Sequence, residues 1–317
     1  MGERRTNRPT RPSVPDGGTG APRCGFVAII GAPNVGKSTF VNALVGTKVS
    51  IVSRKVQTTR MPVRGIAIEG SAQLILVDTP GLFAPRRRLD RAMVSAAWTG
   101  AHDADLVALM VDAKRGRDDE TAGIVARLSE VRASKVLILN KIDLLEKPPL
   151  LALAADLNAS LRFEATFMVS ALTGDGVKDV RAWLAAHVPE GPWHYPADQL
   201  SDAPLRQLAA EITREKLYDR LHQELPYEST VETDRWTELK DGSVRIEQTI
   251  FVARESQRKI VVGKRGQVLK AIGAEARREI GELIEAPVHL FLFVKVREDW
   301  GDDPERYREM GLEFPQD

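Results

Sequence analysis

Phe26–Phe40 reads FVAIIGAPNVGKSTF, five apolar residues followed by a loop whose glycines, Gly31 and Gly36, bracket four residues before Lys37 and Ser38. The stretch that follows, STFVNALV, has a helical apolar pattern and stops at Gly46. Strand, glycine loop and helix in that order, with the spacing G-x-x-x-x-G-K-S, predict a phosphate-binding loop. In such a loop the backbone N–H groups and the helix N-terminus surround phosphate oxygens, the lysine reaches the β and γ phosphates, and the serine holds Mg²⁺. This stretch alone leaves ATP and GTP both open.

Three further motifs decide between them. DTPGL, Asp78–Leu82, follows a second apolar run, with Asp78 placed to bind Mg²⁺ through water and Gly81 placed to face a γ-phosphate. NKID, Asn140–Asp143, ends another run; the Asp143 carboxylate can accept from both N1–H and the exocyclic amine of guanine, donors that adenine cannot present together. Asn140 can bridge loops and the Lys141 stem can cover the base. SAL, Ser170–Leu172, ends a fourth run and offers the Ala171 N–H to guanine O6. The expected nucleotide set is therefore Gly31, Asn34, Val35, Gly36, Lys37, Ser38, Thr39, Asp78, Gly81, Asn140, Lys141, Asp143, Ser170, Ala171 and Leu172, the ligands are GTP and GDP, and Mg²⁺ falls to Ser38, Thr59 and Asp78. Thr59 enters from VSRKVQTTRMPVRG, read as an effector loop whose threonine senses Mg²⁺ and the γ-phosphate; Thr58 is the neighbouring register.

The expected reaction is in-line attack of water on the γ-phosphate, with Lys37, Thr59, Gly81 and Asn34 as the catalytic set. Leu82 stands where many such enzymes place a water-orienting glutamine, which predicts a low intrinsic rate. Arg86–Arg88, just past this segment, reads either as a solvated charge run or as a contact to phosphate or RNA.

Alternation of strand and helix continues to about Val188 and predicts a mostly parallel sheet, a domain over residues 23–190. VPEGPWHYPADQLSDAP holds four prolines in seventeen residues, and 191–205 reads as a linker. Beyond it the order becomes α-β-β-α-α-β over 206–296, with a hairpin signal at Asp241–Gly242 and a second glycine loop, VVGKRGQVL, at Val261–Leu269. No strand precedes that loop, so a second nucleotide pocket is not expected. A Gly-x-x-Gly turn between two helices in this order is similar to that of a type II KH domain, which clamps about four single-stranded nucleotides. Gly263 and Gly266 would let the phosphate backbone approach, Lys264, Arg265, Arg258, Lys259 and Lys270 would supply charge, and Ile260, Val261, Val262, Val268 and Leu269 divide between a base groove and core.

Composition agrees with a globular chain of about two domains: 317 residues, 43% hydrophobic and 28% charged. The net charge of +1 hides eight Lys or Arg against two Glu from Arg254 to Arg278, and three Arg against eight acids in the acidic segment 297–317. A single cysteine, Cys24, excludes an internal disulfide and points to a reducing compartment, and five scattered histidines predict no transition-metal site. No run approaches the ~20 apolar residues of a membrane helix, so no integral membrane segment is expected. Residues 1–22, rich in Arg, Pro, Gly and Thr, read as a disordered basic tail.

The four nucleotide motifs resemble those of the translation-factor-like GTPases. Together with ELPY (Glu224–Tyr227), GKRG and EAPVHLFLFVKV (Glu285–Val296), the chain from residue 25 onward resembles the Era-like GTPases that carry a C-terminal KH domain. The resemblance implies a P-loop GTPase domain with a mostly parallel sheet plus a smaller α+β type II KH domain. It also implies binding near the 3′ end of 16S rRNA, a role in 30S maturation, and GTP favouring the RNA-binding arrangement. A cytoplasmic monomer is expected, compatible with peripheral contact at the inner membrane face. Asn34 resembles the asparagine that helps hold K⁺ in related GTPases lacking the glutamine, against a plain loop-bracing role. The alternative is an RNA-binding scaffold that uses nucleotide occupancy with negligible turnover. GTPases of tRNA modification or iron transport need a helical domain or membrane spans that this sequence lacks.

Overall fold

A computed structural model of the protein describes residues 21–53, 55, 57–221, 225, 228–298 and 303–315. All but the last two residues of the tail expected over 1–22, and most of ELPY, lie outside the described residues.

The first sheet is built from β1 (Arg23–Ile30), β2 (Val63–Glu69), β3 (Ala72–Asp78), β4 (Leu106–Asp112), β5 (Ser134–Asn140) and β6 (Ala165–Val169), in the spatial order β2-β3-β1-β4-β5-β6. Only β2 runs antiparallel to its neighbour. All seven residues of β3 and of β4 are buried, as expected of parallel strands covered on both faces. Helices α1 (Lys37–Val45), α2 (Arg88–Asp103), α3 (Asp119–Leu128), α4 (Lys147–Ser160) and α5 (Val177–His187) alternate with them. Helix α1 begins one residue before the predicted STFVNALV and stops at Gly46 as expected. Register aligns Ile29 with Asp78, Asp112 with Asn140 and Asn140 with Val169, so the carboxyl ends of five strands share one edge. Loops at that edge are where ligands bind in open α/β sheets.

The second domain follows the predicted order: α6 (Leu205–Arg220), β7 (Ser229–Glu238), β8 (Val244–Val252), α7 (Glu255–Val262), α8 (Gln267–Ile284) and β9 (Val288–Val296). β7 and β8 are antiparallel, β8 and β9 parallel. Apolar residues of α6 and α8 at helical spacing, Ile212, Leu217, Ile272, Ala276 and Ile280, cover one face of this sheet with Ile246 and Ile250.

Two connecting segments behave differently from their composition. The proline-rich linker is bound to the first domain: Trp193 is buried with Ile75 and Cys24, and the Gln73 side chain on β3 accepts from the His194 and Tyr195 N–H groups and donates to the Tyr195 carbonyl. The acidic C-terminal segment forms α9 (Pro304–Glu309) and a turn that packs Tyr307 and Leu312 against Ala92 and Met93 of α2. Arg306 of α9 pairs with Glu232 of β7 and stacks over Phe251 of β8, so the segment touches both domains. Among the described residues no helix is long and apolar enough to cross a membrane.

Candidate functional site

The loop after β1 needs its two glycines for space as well as conformation. A Cβ on Gly31 would lie 2.3 Å from the Met110 carbonyl oxygen, and one on Gly36 would lie 2.3 Å from Asn140 Nδ2. Gly36 also takes φ 104° as the N-cap of α1, which leaves the first turn of the helix open toward the loop. Lys37 Nζ donates to the Gly31 and Ala32 carbonyls, each at 3.0 Å. Burial pushes Lys37 down to about 8, and the charge of Asp78 partly offsets this.

Ser38, Thr59 and Asp78 come from three separate segments and meet. Asp78 Oδ2 accepts from Ser38 Oγ at 2.7 Å and from Thr59 Oγ1 at 3.4 Å, and the two hydroxyls are 3.0 Å apart. Asp78 Oδ1 is buried with no hydrogen-bond partner. Burial raises the Asp78 carboxyl, opposed by the hydroxyls of Ser50 and Ser38. A hard-oxygen set with an orphaned carboxylate oxygen fits Mg²⁺. Thr58, the alternative register, lines the same cavity but donates its hydroxyl to the Lys55 carbonyl.

Asn140 is the brace of the base-reading corner. Its Nδ2 donates to the Val35 carbonyl at 2.8 Å, and its Oδ1 accepts from the Ala171 N–H at 2.9 Å. The Ala171 N–H, expected on guanine O6, is thus bonded to Asn140 in this structure, because the buried corner satisfies its donors internally. Lys141 Nζ reaches Asp112 Oδ2 at 2.6 Å and the Asn34 carbonyl at 2.7 Å, which lays its stem along the pocket. Asp143 is exposed in the short turn Ile142–Leu144, Ser170 is buried, and Leu172 is 81% exposed. Asn34, with φ 63°, together with Thr39 and Gly81, lines the same cavity of about 880 Å³ between the loop and the 51–59 segment. Val35 is buried beneath the loop. Leu82 is buried too, its N–H donating to the Gly31 carbonyl, so it offers nothing to a water.

Sequence reasoning missed Ser50, whose hydroxyl donates to Asp78 Oδ2 at 2.6 Å, and Asp112, which orients Lys141. Neither lies in a motif; only the fold brings them in. Arg86 and Arg87 are exposed at the entry to α2, where Asp90 accepts from both of their N–H groups, and Arg88 stacks over Phe314.

In the second domain Gly263–Gly266 is a tight turn joining α7 to α8, with Lys264 and Arg265 exposed and Arg265 at φ 52°. Arg258, Lys259 and Lys270 are exposed around it. Beside it lies a cavity of about 460 Å³ formed by Leu269, Gly273, Leu292 and Phe293, with Lys270 and Arg277 at its rim. Val261, one of the expected groove candidates, is instead fully buried in the core, while Ile260 is exposed. The β9 aromatics Phe291 and Phe293 were not among the expected candidates, although the alternation in VHLFLFVKV carried the signal.

The profile of a family described as 50S ribosome-binding GTPase matches residues 26–141, and a KH domain profile matches 224–301. GTPase Era of Bradyrhizobium sp. (strain ORS 278) is 68% identical over 300 residues, covering 95% of this chain and 98% of that protein. GTPase Era of Brucella suis biovar 1 (strain 1330) is 64% identical over 293 residues, covering 92% and 94%. Among solved structures, Era in complex with MgGDPNP and nucleotides 1506–1542 of 16S ribosomal RNA superposes with a TM-score of 0.87 at 36% identity, over 92% of this chain and 99% of that one. A variant of Aquifex aeolicus Era bound to GDP·AlF4⁻ gives the same TM-score and identity over 91% and 99%. Likeness of this depth, running through both domains and over nearly the full length of each relative, shows that the chain belongs to the GTPase Era family.

Proposed function

We propose that the protein hydrolyses GTP slowly and uses its nucleotide state to set its grip on the 3′ region of 16S rRNA during maturation of the small ribosomal subunit. The observation that carries the RNA half is the Gly263–Gly266 turn beside an apolar groove with a cationic rim, matched by a relative whose structure holds 16S nucleotides 1506–1542. The loop N–H groups and Lys37 hold the β and γ phosphates, Asp143 reads the guanine edge, and Asn140 keeps the two loops of the base pocket in register. Bound Mg²⁺, carried by Ser38, Thr59 and Asp78, would neutralise charge on the phosphate oxygens. Buried Leu82 cannot orient the attacking water, which fits a low intrinsic rate.

Fluorescence anisotropy with an oligonucleotide of the 16S 3′ region tests the coupling. Affinity is expected to be higher with GDPNP than with GDP and to fall steeply with salt. Equal affinities would sink the coupling, and no affinity in either state would remove the RNA assignment.

Asn34, held in a left-handed conformation at the cavity rim, is proposed to help bind K⁺ near the phosphates. Turnover is then faster in KCl than in NaCl, and identical rates exclude the role. One chain carries both sites, so a monomer suffices. A ribosomal partner supports a cytoplasmic location; peripheral contact with the inner membrane face would rest on the cationic surface, and binding to anionic vesicles tests it.

A further inference from the structure

The described residues of the effector loop, between α1 and β2, form no helix or strand, and several of the loop's polar groups are bonded by the second domain. The Val52 N–H donates to Glu215 Oε1 at 2.7 Å, and Lys48 Nζ donates to Glu215 Oε2 at 2.6 Å. Arg214 Nη2 donates to the Thr58 carbonyl at 2.5 Å. Arg60 Nη1 donates to the Ser229 carbonyl at 2.8 Å, and its Nη2 donates to Tyr218 Oη at 3.0 Å. Arg214 and Arg60 are both buried, at 1% and 3% exposure, and both guanidinium groups lie against the Tyr218 ring. Buried arginines held by several partners are rigid struts.

These contacts bracket one residue. The Thr58 carbonyl belongs to the peptide that leads into Thr59, and Arg60 is the residue after it. Between the two anchors, Thr59 Oγ1 stands 3.0 Å from Ser38 Oγ and 3.4 Å from Asp78 Oδ2. Within the loop the Thr58 hydroxyl donates to the Lys55 carbonyl; the carbonyl of the Thr58–Thr59 peptide and the Arg60 side chain are held from outside it, by α6 and the start of β7.

We propose that Arg214 of α6 is a positioning residue for the GTPase reaction, acting through the Thr58 carbonyl to hold Thr59 at the Mg²⁺ and γ-phosphate corner, with Arg60 bracing the other side. This rests on the reading of Thr59 given above. GDP has no γ-phosphate for Thr59 to sense, so the bracket acts on GTP and its analogues and spares GDP. The same geometry makes the second domain part of the nucleotide site.

The test uses the full chain with Arg214→Lys, which keeps the charge but loses the fork that also holds Glu211 through Nε. Loss of one charge-assisted hydrogen bond predicts roughly a tenfold rise in the GDPNP dissociation constant and a similar fall in kcat, with GDP affinity unchanged. In a Thr59→Ala background Arg214→Lys is expected to cause no further loss, because both changes remove one interaction. Equal weakening of GDP and GDPNP, or losses that multiply in the double variant, would overturn the proposal. Thr59→Ala alone leaving GDPNP affinity and kcat untouched would sink the Thr59 reading instead. Should Arg214→Lys fail to fold, Tyr218→Phe, which removes the hydroxyl that accepts from Arg60 and donates to the Gln57 carbonyl of the same loop, is expected to weaken GDPNP about threefold with GDP unchanged. An unchanged GDPNP affinity there would also count against the bracket.

Discussion

Lys37 lies almost wholly inside the protein, its ammonium on the carbonyls of Gly31 and Ala32, and burial holds it near 8, against an ordinary value of 10.5. A phosphate next to it favours the charged form, so nucleotide binding returns the lysine toward its usual range. Below pH 8 the group already carries its proton; between about 8 and 10.5 the free protein must take one up on binding. Calorimetry with GDP in buffers of different ionisation enthalpy should find almost no uptake from this group at pH 7 and about half a proton at pH 8. No uptake at pH 8 would mean that Lys37 is fully charged before nucleotide arrives. The sign for folding follows from the same shift: below pH 8 the buried ammonium costs the free protein stability, and that cost is recovered as pH rises toward 10.5.

Between α7 and α8 the turn places unequal demands on its two glycines. A Cβ on Gly263 would lie 2.4 Å from Val268 Cγ2, whereas one on Gly266 would meet nothing within 4 Å. Both have positive φ, so either substitution carries strain of about 1 kcal/mol, but only Gly263→Asp adds a clash. Gly266→Asp is therefore the cleaner probe: RNA affinity should fall at least tenfold from charge repulsion with the phosphate backbone, while GTP affinity and the thermal midpoint change little. Undiminished RNA affinity would remove the turn from the RNA site. Helix α8, Gln267–Ile284, was legible as the helix after the glycine turn because apolar residues recur there at helical spacing. The four nucleotide motifs were legible because each is compact and ends a strand. Ser50, Asp112 and Glu215 were not, since each acts on a residue brought near only by the fold, and Val261 went to the core because α7 turns that side chain inward.

Across the whole molecule, the C-terminal segment is a clip. Tyr307 is fully buried between α2 and Phe314, and Arg306 reaches the second sheet at Glu232 and Phe251. Truncating a buried aromatic costs about 3–5 kcal/mol, and here that cost falls on a short segment that can open by itself. Tyr307→Ala should speed hydrogen exchange at the Leu312 amide, which donates to the Tyr307 carbonyl at 2.7 Å, by about 10²-fold or more, while GDP affinity stays unchanged. Unaltered exchange would show that the segment is held elsewhere. The proline-rich connection carries a different lesson for anyone recombining these domains. Because Gln73 grips the backbone at His194 and Tyr195, and Ser201 donates its hydroxyl to the Arg64 carbonyl, the stretch up to Asp202 is mechanically part of the first domain. A chimera that imports a foreign RNA-binding module should be spliced at Ala203–Pro204; a splice at Val188 would strip β1 and β3 of the covering that Trp193 gives Cys24 and Ile75.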